Sequence, residues 1–303
     1  MIMEEQKAGW LAPLKKVYEN KYKHLMIITI LLLVFSLGVL GFQKITTGEF
    51  IKKDVSLKGG ILVTIKTEQQ FDTKHIEDEL QKSLGISSSV KSLTALAGQP
   101  VGYAVEIEKA DNDKTISELE KITGVPRDTY TVEESSATLS AAFFKSTVKA
   151  IVLAFIFMSV VVLIYFRLPF RSFAVILAGF SDLIETIAFM QIFGIKLSIG
   201  GVAALLMLIG YSVDADILLS SRVLKQHHAT VLGAVYSSIK TGLTMQATSI
   251  AALVVLYLVT PAALLKQISI ILIIGLLVGM LNAWVQNAGL LRWYLEWKGK
   301  HGK

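Results

Sequence analysis

The chain has 303 residues, 53% of them hydrophobic, with a mean hydropathy of +0.57 and a formal net charge of +6. This excludes an ordinary soluble globule: the charged 18% is gathered between long apolar runs, so the positive excess reads as cytoplasmic-side basic residues rather than a nucleic-acid surface. Without cysteine there is no disulfide, thiolate nucleophile or Cys-based metal site, and chemistry at neutral pH falls to carboxylates, five histidines and hydroxyls.

Residues 1–24, which include Lys7, Lys15, Lys16, Lys21 and Lys23, form a basic, partly amphipathic lead-in expected at the cytoplasmic membrane surface. Leu25–Phe42 is an apolar run of about eighteen residues, just long enough to span a bilayer. No A-x-A-like cleavage site follows it, so it reads as an uncleaved first spanning helix rather than a signal peptide.

Residues 43–147 change in kind, with nearly balanced charges and only short apolar runs. Gly60–Lys66 alternates like a strand, and Thr73–Leu84 carries Ile76, Leu80 and Leu84 at helical spacing before Gly85. Val90–Leu96 and Val101–Glu108 predict a strand pair around a Gly98-Gln99-Pro100 turn. Asp113–Thr123 predicts a second helix ended by Gly124, and Thr129–Glu133 alternates again. The order β-α-β-β-α-β is the ferredoxin-like α+β signature, and about a hundred residues suffice for a small independent core.

Five further apolar runs follow at Thr147–Phe166, Ser172–Phe193, Leu197–Leu219, Thr241–Ala262 and Ile268–Leu291. The expected architecture is therefore a membrane α-helical bundle of six transmembrane helices, with an extracytoplasmic ferredoxin-like domain between helices 1 and 2. The partition is 1–24 lead-in, 25–42 first helix, 43–147 α+β domain, 148–292 helices 2–6 and 293–303 basic tail. Ser220–Lys240 is basic and predicts a surface helix. One alternating set of segments carries the lead-in lysines, Arg167, Arg171, Arg222, Lys225, Lys240, Arg292, Lys298, Lys300 and Lys303. The opposite set of short loops carries only Lys196 and Lys266, which places both termini in the cytoplasm.

Depth follows from a rise of about 1.5 Å per residue. Counted from the cytoplasmic helix ends, Asp182 lies roughly 15 Å deep, Asp214 roughly 12 Å, Gln246 and Thr248 roughly 8–11 Å, and Asn282 and Gln286 roughly 15 and 9 Å. Four helices thus bring polar side chains to one layer, either as a shared centre or as separate helix-to-helix glue. A carboxylate at helix centre costs about 2.5–3.5 kcal/mol on insertion scales, so Asp182, Asp214, Asp216 and Glu185, with Gln246 and Asn282, are candidates for proton handling or bundle organisation. Asp214 and Asp216 point about 200° apart. Depth favours Asp214 as the acid facing Asp182, with Asp216 turned to another helix or the interface. Asp182 and Glu185, three apart, share a face, where repulsion or desolvation would suit one of them to carry a proton. Gly275 and Gly279 make a G-x-x-x-G contact, Gly200-Gly201 open the fourth helix, and Gly210 precedes the acidic pair. No H-E-x-x-H or P-loop is present, and the pair His227-His228 reads as a solvated basic loop rather than a metal site. No catalytic residue, cofactor or metal is expected.

Several stretches together carry a family resemblance. D-V-S-L-K-G-G (Asp54–Gly60, with Gly59 and Gly60 as its glycine pair) is similar to the D-x-x-x-x-G-G element that follows the first helix in SecD and SecF. S-D-L-I-E-T (Ser181–Thr186) is similar to the family's H-D-V-x-x-T, with Ser in place of His. I-G-Y-S-V-D-A-D-I-L-L-S-S-R (Ile209–Arg222) carries the SecF-like opening Gly210, Tyr211 and Ser212 and the trailing Arg222, while V-D-A looks more like SecD than like the N-D of bacterial SecF. Lys240-Thr241 stands near the family's Arg-Thr, Ala247–Leu253 resembles T-S-x-T-T-L, and Leu281-Asn282-Ala283 replaces Tyr-Ser-Ser. The chain thus resembles the SecF family of the Sec protein-export machinery, of archaeal type, within the wider family of SecD and the resistance-nodulation-division transporters.

The resemblance covers almost the whole chain. It implies an auxiliary translocation subunit in a cell membrane, acting with a SecD partner beside the Sec channel on an exported polypeptide, coupled to the proton gradient and surrounded by membrane lipid. Two other classes compete with it. An intramembrane aspartyl protease would need G-x-G-D where G-Y-S-V-D stands, and Pro261-Ala262-Ala263-Leu264 only approaches its P-A-L. A small-molecule or lipid exporter half would need a larger outer domain.

Overall fold

The computed structural model describes residues 12–85, 88–94, 100–107, 112–224, 231–260 and 262–301. The turn expected at Gly98-Gln99 and the pair His227-His228 lie outside the described residues.

Helix α1 (Ala12–Thr47) contains the first apolar run and reaches well beyond it on both sides. Four residues, Val55–Lys58, form the short helix α2, whose N-cap Asp54 accepts the Ser56 N–H at 3.0 Å. Then come β1 (Gly60–Ile65), α3 (Thr73–Leu84), β2 (Ser88–Thr94), β3 (Pro100–Ile107), α4 (Asn112–Thr123) and β4 (Tyr130–Ser135). The strands make one antiparallel sheet in the order β2-β3-β1-β4, with Val63 opposite Val105 on one side and Val132 on the other. This is the ferredoxin-like arrangement. Alternation is its cause: Ile61, Val63, Ile65, Tyr103, Val105 and Ile107 point to one face and pack on Ile76, Leu80 and Leu119 of the two helices. The opposite face, which carries Glu106, is turned toward the helical bundle, where Lys196 meets it.

Five more helical stretches build the bundle: α5 (Ala137–Phe166), α6 (Pro169–Ile192), α7 (Ile199–Leu224), α8 (Val231–Val259) and the composite α9 (Ala263–Leu281), a π-helical segment Asn282–Asn287, and α10 (Ala288–His301). Among the described residues, six helices are long and apolar enough to cross a membrane. The expected surface helix in Ser220–Lys240 is replaced, over its described part, by continuations of α7 to Leu224 and of α8 from Val231. Apolar side chains at Leu219, Val223 and Val235, packed with Ala283 and Trp284, are what carry the two helices that far.

The bundle is uneven. About two thirds (67%) of the apolar window of α6 is buried and 56% of that of α7, against 11% for α5 and for α8. Small residues permit the close inner contacts. A Cβ on Gly275 would stand 2.6 Å from Leu208, and one on Gly279 would stand 3.2 Å from the Asp182 carboxylate. The G-x-x-x-G of α9 therefore serves two neighbours, α7 through Gly275 and α6 through Gly279.

Candidate functional site: a buried amide–carboxylate layer

Among the described residues, three carboxylates lie inside the bundle, all essentially without exposure: Asp182 and Glu185 on α6 and Asp216 on α7. Asp182 and Glu185 are brought together by their spacing and meet one donor, since Asn282 Nδ2 lies 2.8 Å from Asp182 Oδ1 and 3.1 Å from Glu185 Oε2. Ser212 donates its hydroxyl to Asp182 Oδ2 across the α6–α7 contact. Asn287 Nδ2 donates to Asp216 Oδ1 at 2.7 Å. Gln286 Nε2 donates to Ser181 Oγ at 3.2 Å, which completes a link from the π-helical segment to α6.

The π-helical turn makes this possible. Five residues span about 140° of an α-helix, so Asn282 and Asn287 would face different neighbours in regular geometry. The wider i→i+5 turn keeps Asn282, Gln286 and Asn287 all fully buried and aimed at the acids and their neighbours.

Only neutral donors meet these carboxylates; among the described residues no ion pair reaches them. Glu185 Oε1 and Asp216 Oδ2 are left without a donor, as are the acceptor oxygens of Asn282, Gln286 and Asn287. Carboxylates held by amides and hydroxyls in a buried interior are the arrangement in which gain of a proton rewrites the bonding, because the oxygen that takes it changes from acceptor to donor.

The other candidates fall elsewhere. Asp214 is exposed and does not face Asp182; Asp216 takes the inner position instead. Depth gives no angle, and the inner face of α7 is set by Leu205, Leu208, Ile209, Ser212 and Asp216, buried at helical spacing, while Met207, Gly210, Tyr211 and Asp214 line the outer face. Gln246 is buried but accepts the Trp284 indole N–H at 3.2 Å, outside the acid cluster. Gly242, whose Cβ would lie 2.1 Å from the Trp284 ring, opens the space for that contact. Thr248 is exposed and bonds only within α8. Arg222 joins α7 to α8 through its guanidinium, donating to the Ser237 carbonyl at 2.8 Å and the Thr241 hydroxyl at 2.9 Å. Asp54 and the Gly59-Gly60 pair sit at the foot of the sheet, where burial raises the Asp54 carboxyl above its usual range against the Ser56 hydrogen bonds. Asn287 was not legible as a site residue: a regular helix turns it away from Asn282, and only the π-helical turn brings it in.

The family model for protein export membrane protein SecD/SecF, C-terminal, matches residues 115–297. The chain is 36% identical to the protein-export membrane protein SecF of Pyrococcus furiosus, over 93% of this chain and 94% of the relative. It is 37% identical to that of Methanocaldococcus jannaschii, over 92% and 98%. The chain belongs to the SecD/SecF family. Within that family its fold is that of SecDF from Thermus thermophilus, with a TM-score of 0.72 at 17% identity over 92% of this chain. It spans 38% of that SecDF chain. The six apolar helices and the SecF relatives make it a multi-pass membrane protein with a role in protein export.

Proposed function

We propose that the chain is an auxiliary translocation subunit that pairs with a SecD-like membrane protein beside the Sec channel and uses the proton gradient to assist an exported polypeptide. The distribution of lysine and arginine supports this reading with both termini in the cytoplasm and residues 43–147 across the membrane from them. The observation that carries the pairing is Asp214. A carboxylate exposed on the outer face of a spanning helix costs about 2.5–3.5 kcal/mol against lipid, so a polar partner helix covers it. Exposed Gly210, one turn away, leaves room for close approach, and the part of the SecDF chain that this chain does not span is where a counterpart would come from.

Proton coupling rests on the inner layer. A proton on Asp182, Glu185 or Asp216 makes that group a donor, and the acceptor oxygens of Asn282 and Asn287 are free to receive it. The rearrangement re-pairs α6 and α7 with the π-helical turn. One charge crossing 100 mV supplies about 2.3 kcal/mol, enough to shift two packings of similar energy.

Affinity purification from native membranes tests the pairing: the wild-type chain brings down a SecD-like protein, and Asp214→Leu loses it while remaining folded. Recovery of that partner with both chains alike would sink the pairing surface. Export in membrane vesicles tests the layer: Asp182→Asn and Asp216→Asn should each lower the gradient-stimulated component with the partner still bound. Undiminished stimulation in both variants would remove the proton role.

A further inference from the structure

The segment that leads from α1 to the sheet belongs mechanically to the bundle. Leu57 of α2 is 1% exposed and lies in the same apolar cluster as Leu183, Leu197, Leu205 and Leu208. Residues 52–54 run as a parallel bridge beside the α6–α7 loop: the Leu197 N–H donates to the Lys52 carbonyl at 2.7 Å and the Asp54 N–H to the Leu197 carbonyl at 3.0 Å. Gln191, at the end of α6, accepts the Lys52 N–H at 3.1 Å and the Gln43 amide at 2.8 Å on one oxygen. Ser56 Oγ donates to Asp54 and accepts the Ile199 N–H at 3.3 Å, so the first residue of α7 is tied to the cap of α2. From α9, Gln267 donates to the Lys196 carbonyl and accepts the Ser198 hydroxyl.

The sheet itself is attached differently. Gly59 and Gly60, the latter the first residue of β1, have φ of +91° and +138°, two consecutive residues in backbone regions that side chains disfavour. The return link leaves the sheet at the same place, since Ser135 at the end of β4 is the register partner of Gly60. Both covalent connections therefore emerge side by side, which defines one pivot. Close to the pivot, on β3 opposite Leu62 and so two residues along the sheet from Gly60, Glu106 reaches across to the bundle. Its Oε2 lies 2.9 Å from Lys196 Nζ in the α6–α7 loop, and its Oε1 lies 2.7 Å from Lys91 Nζ on the neighbouring strand.

We propose that the Gly59–Gly60 pair is a hinge for the α+β unit and that the Glu106–Lys196 ion pair is its releasable latch. The physical case is the two-cation arrangement. Glu106 is nearly buried at 8% exposure, and opening a contact to a buried carboxylate is ordinarily prohibitive because it strands the charge. Here Lys91 stays with the carboxylate when Lys196 leaves, and Lys196, 30% exposed, moves into water. The clamp at Gln191, Leu197 and Ser56 is made of backbone, amide and hydroxyl bonds to α6, α7 and the loop between them, so it moves with α6 and α7 and carries their displacement to the pivot. This inference goes beyond the proposed function: it concerns how two parts of one chain move, whichever ion or partner drives the bundle.

The test uses the absence of cysteine, which lets two spin labels be placed uniquely. Labels at Lys82→Cys on α3 and Phe193→Cys beside the loop, both exposed positions, are introduced into the full chain in lipid nanodiscs and their separation is measured by double electron–electron resonance. The parent gives one narrow distribution. Glu106→Gln and Lys196→Gln each add a second, longer-distance population, Lys91→Gln keeps the parent distribution, and 1 M salt opens the parent but leaves Lys196→Gln unchanged. A parent-like distribution in both Glu106→Gln and Lys196→Gln overturns the latch. Should Glu106→Gln lose amide-exchange protection in β1 and β3, Lys196→Gln, which leaves Glu106 paired with Lys91, decides alone.

Discussion

Two polar clusters in this molecule handle carboxylates in opposite ways. Inside the bundle, Asp182, Glu185 and Asp216 are met by amides and a hydroxyl, and two of the three keep an oxygen with no donor. At the foot of the sheet, Glu106 holds two lysines, one for each oxygen. Fixed positive charge makes a carboxylate permanent, whereas neutral donors leave its ionisation open to change. In the proposed reading the first cluster alters its bonding, and the second holds charge while its geometry changes.

Breaking the neutral cluster has the largest expected effect. Asn282→Leu removes the shared donor of Asp182 and Glu185, and at roughly 1.5–3 kcal/mol for each hydrogen bond to a charged group it should lower stability by about 3 kcal/mol or more. Unfolding of the purified chain in mixed micelles measures it, and a loss below about 1 kcal/mol would mean the carboxylates do not depend on that amide.

Next comes Gly242→Ala. Its Cβ would fall within 2.1 Å of the Trp284 ring, so the indole and the π-helical turn that carries it must shift, for a cost of about 1–3 kcal/mol. Tryptophan fluorescence should report the displaced ring, and an unchanged spectrum with unchanged stability would show that the turn is not held by this contact.

The charged cluster predicts a pH dependence of known sign. Burial acts to raise the Glu106 carboxyl, yet Lys91 and Lys196 outweigh it and hold the group below its ordinary value; Asp54 is the other titratable group nearby. A lowered folded-state value means that its contribution is present above the unfolded glutamate value of about 4.3 and lost as pH falls through the lowered one. Amide-exchange protection of β1 and β3 should therefore fall as the pH drops below about 4, and Glu106→Gln should flatten that response. Equal acid sensitivity in the variant would assign the loss to other groups.

The smallest effect on the isolated chain is expected from Asp214→Asn. An exposed carboxylate with no partner among the described residues should change the unfolding free energy of the purified protein by less than about 0.5 kcal/mol. A larger loss would place Asp214 in the fold and not on a pairing surface.

Much of this was legible along the chain. Alternation at Gly60–Ile65 and helical spacing at Ile76, Leu80 and Leu84 determine the ferredoxin-like order, because period alone separates strand from helix. Six apolar runs and their basic flanks determine the number of spanning helices, since bilayer thickness sets their length. Depth is also a sequence quantity, and it brought Asp182 and Asn282 to one level. Rotation about the helix axis is not given by depth: Asp214 and Asp216 differ by two residues, and packing against α6 and α9 turns Asp216 inward and Asp214 out. Only tertiary structure decided that, and for the same reason only it revealed Asn287, which a π-helical turn swings into the layer, and Glu106, whose partner Lys196 lies 90 residues along the chain.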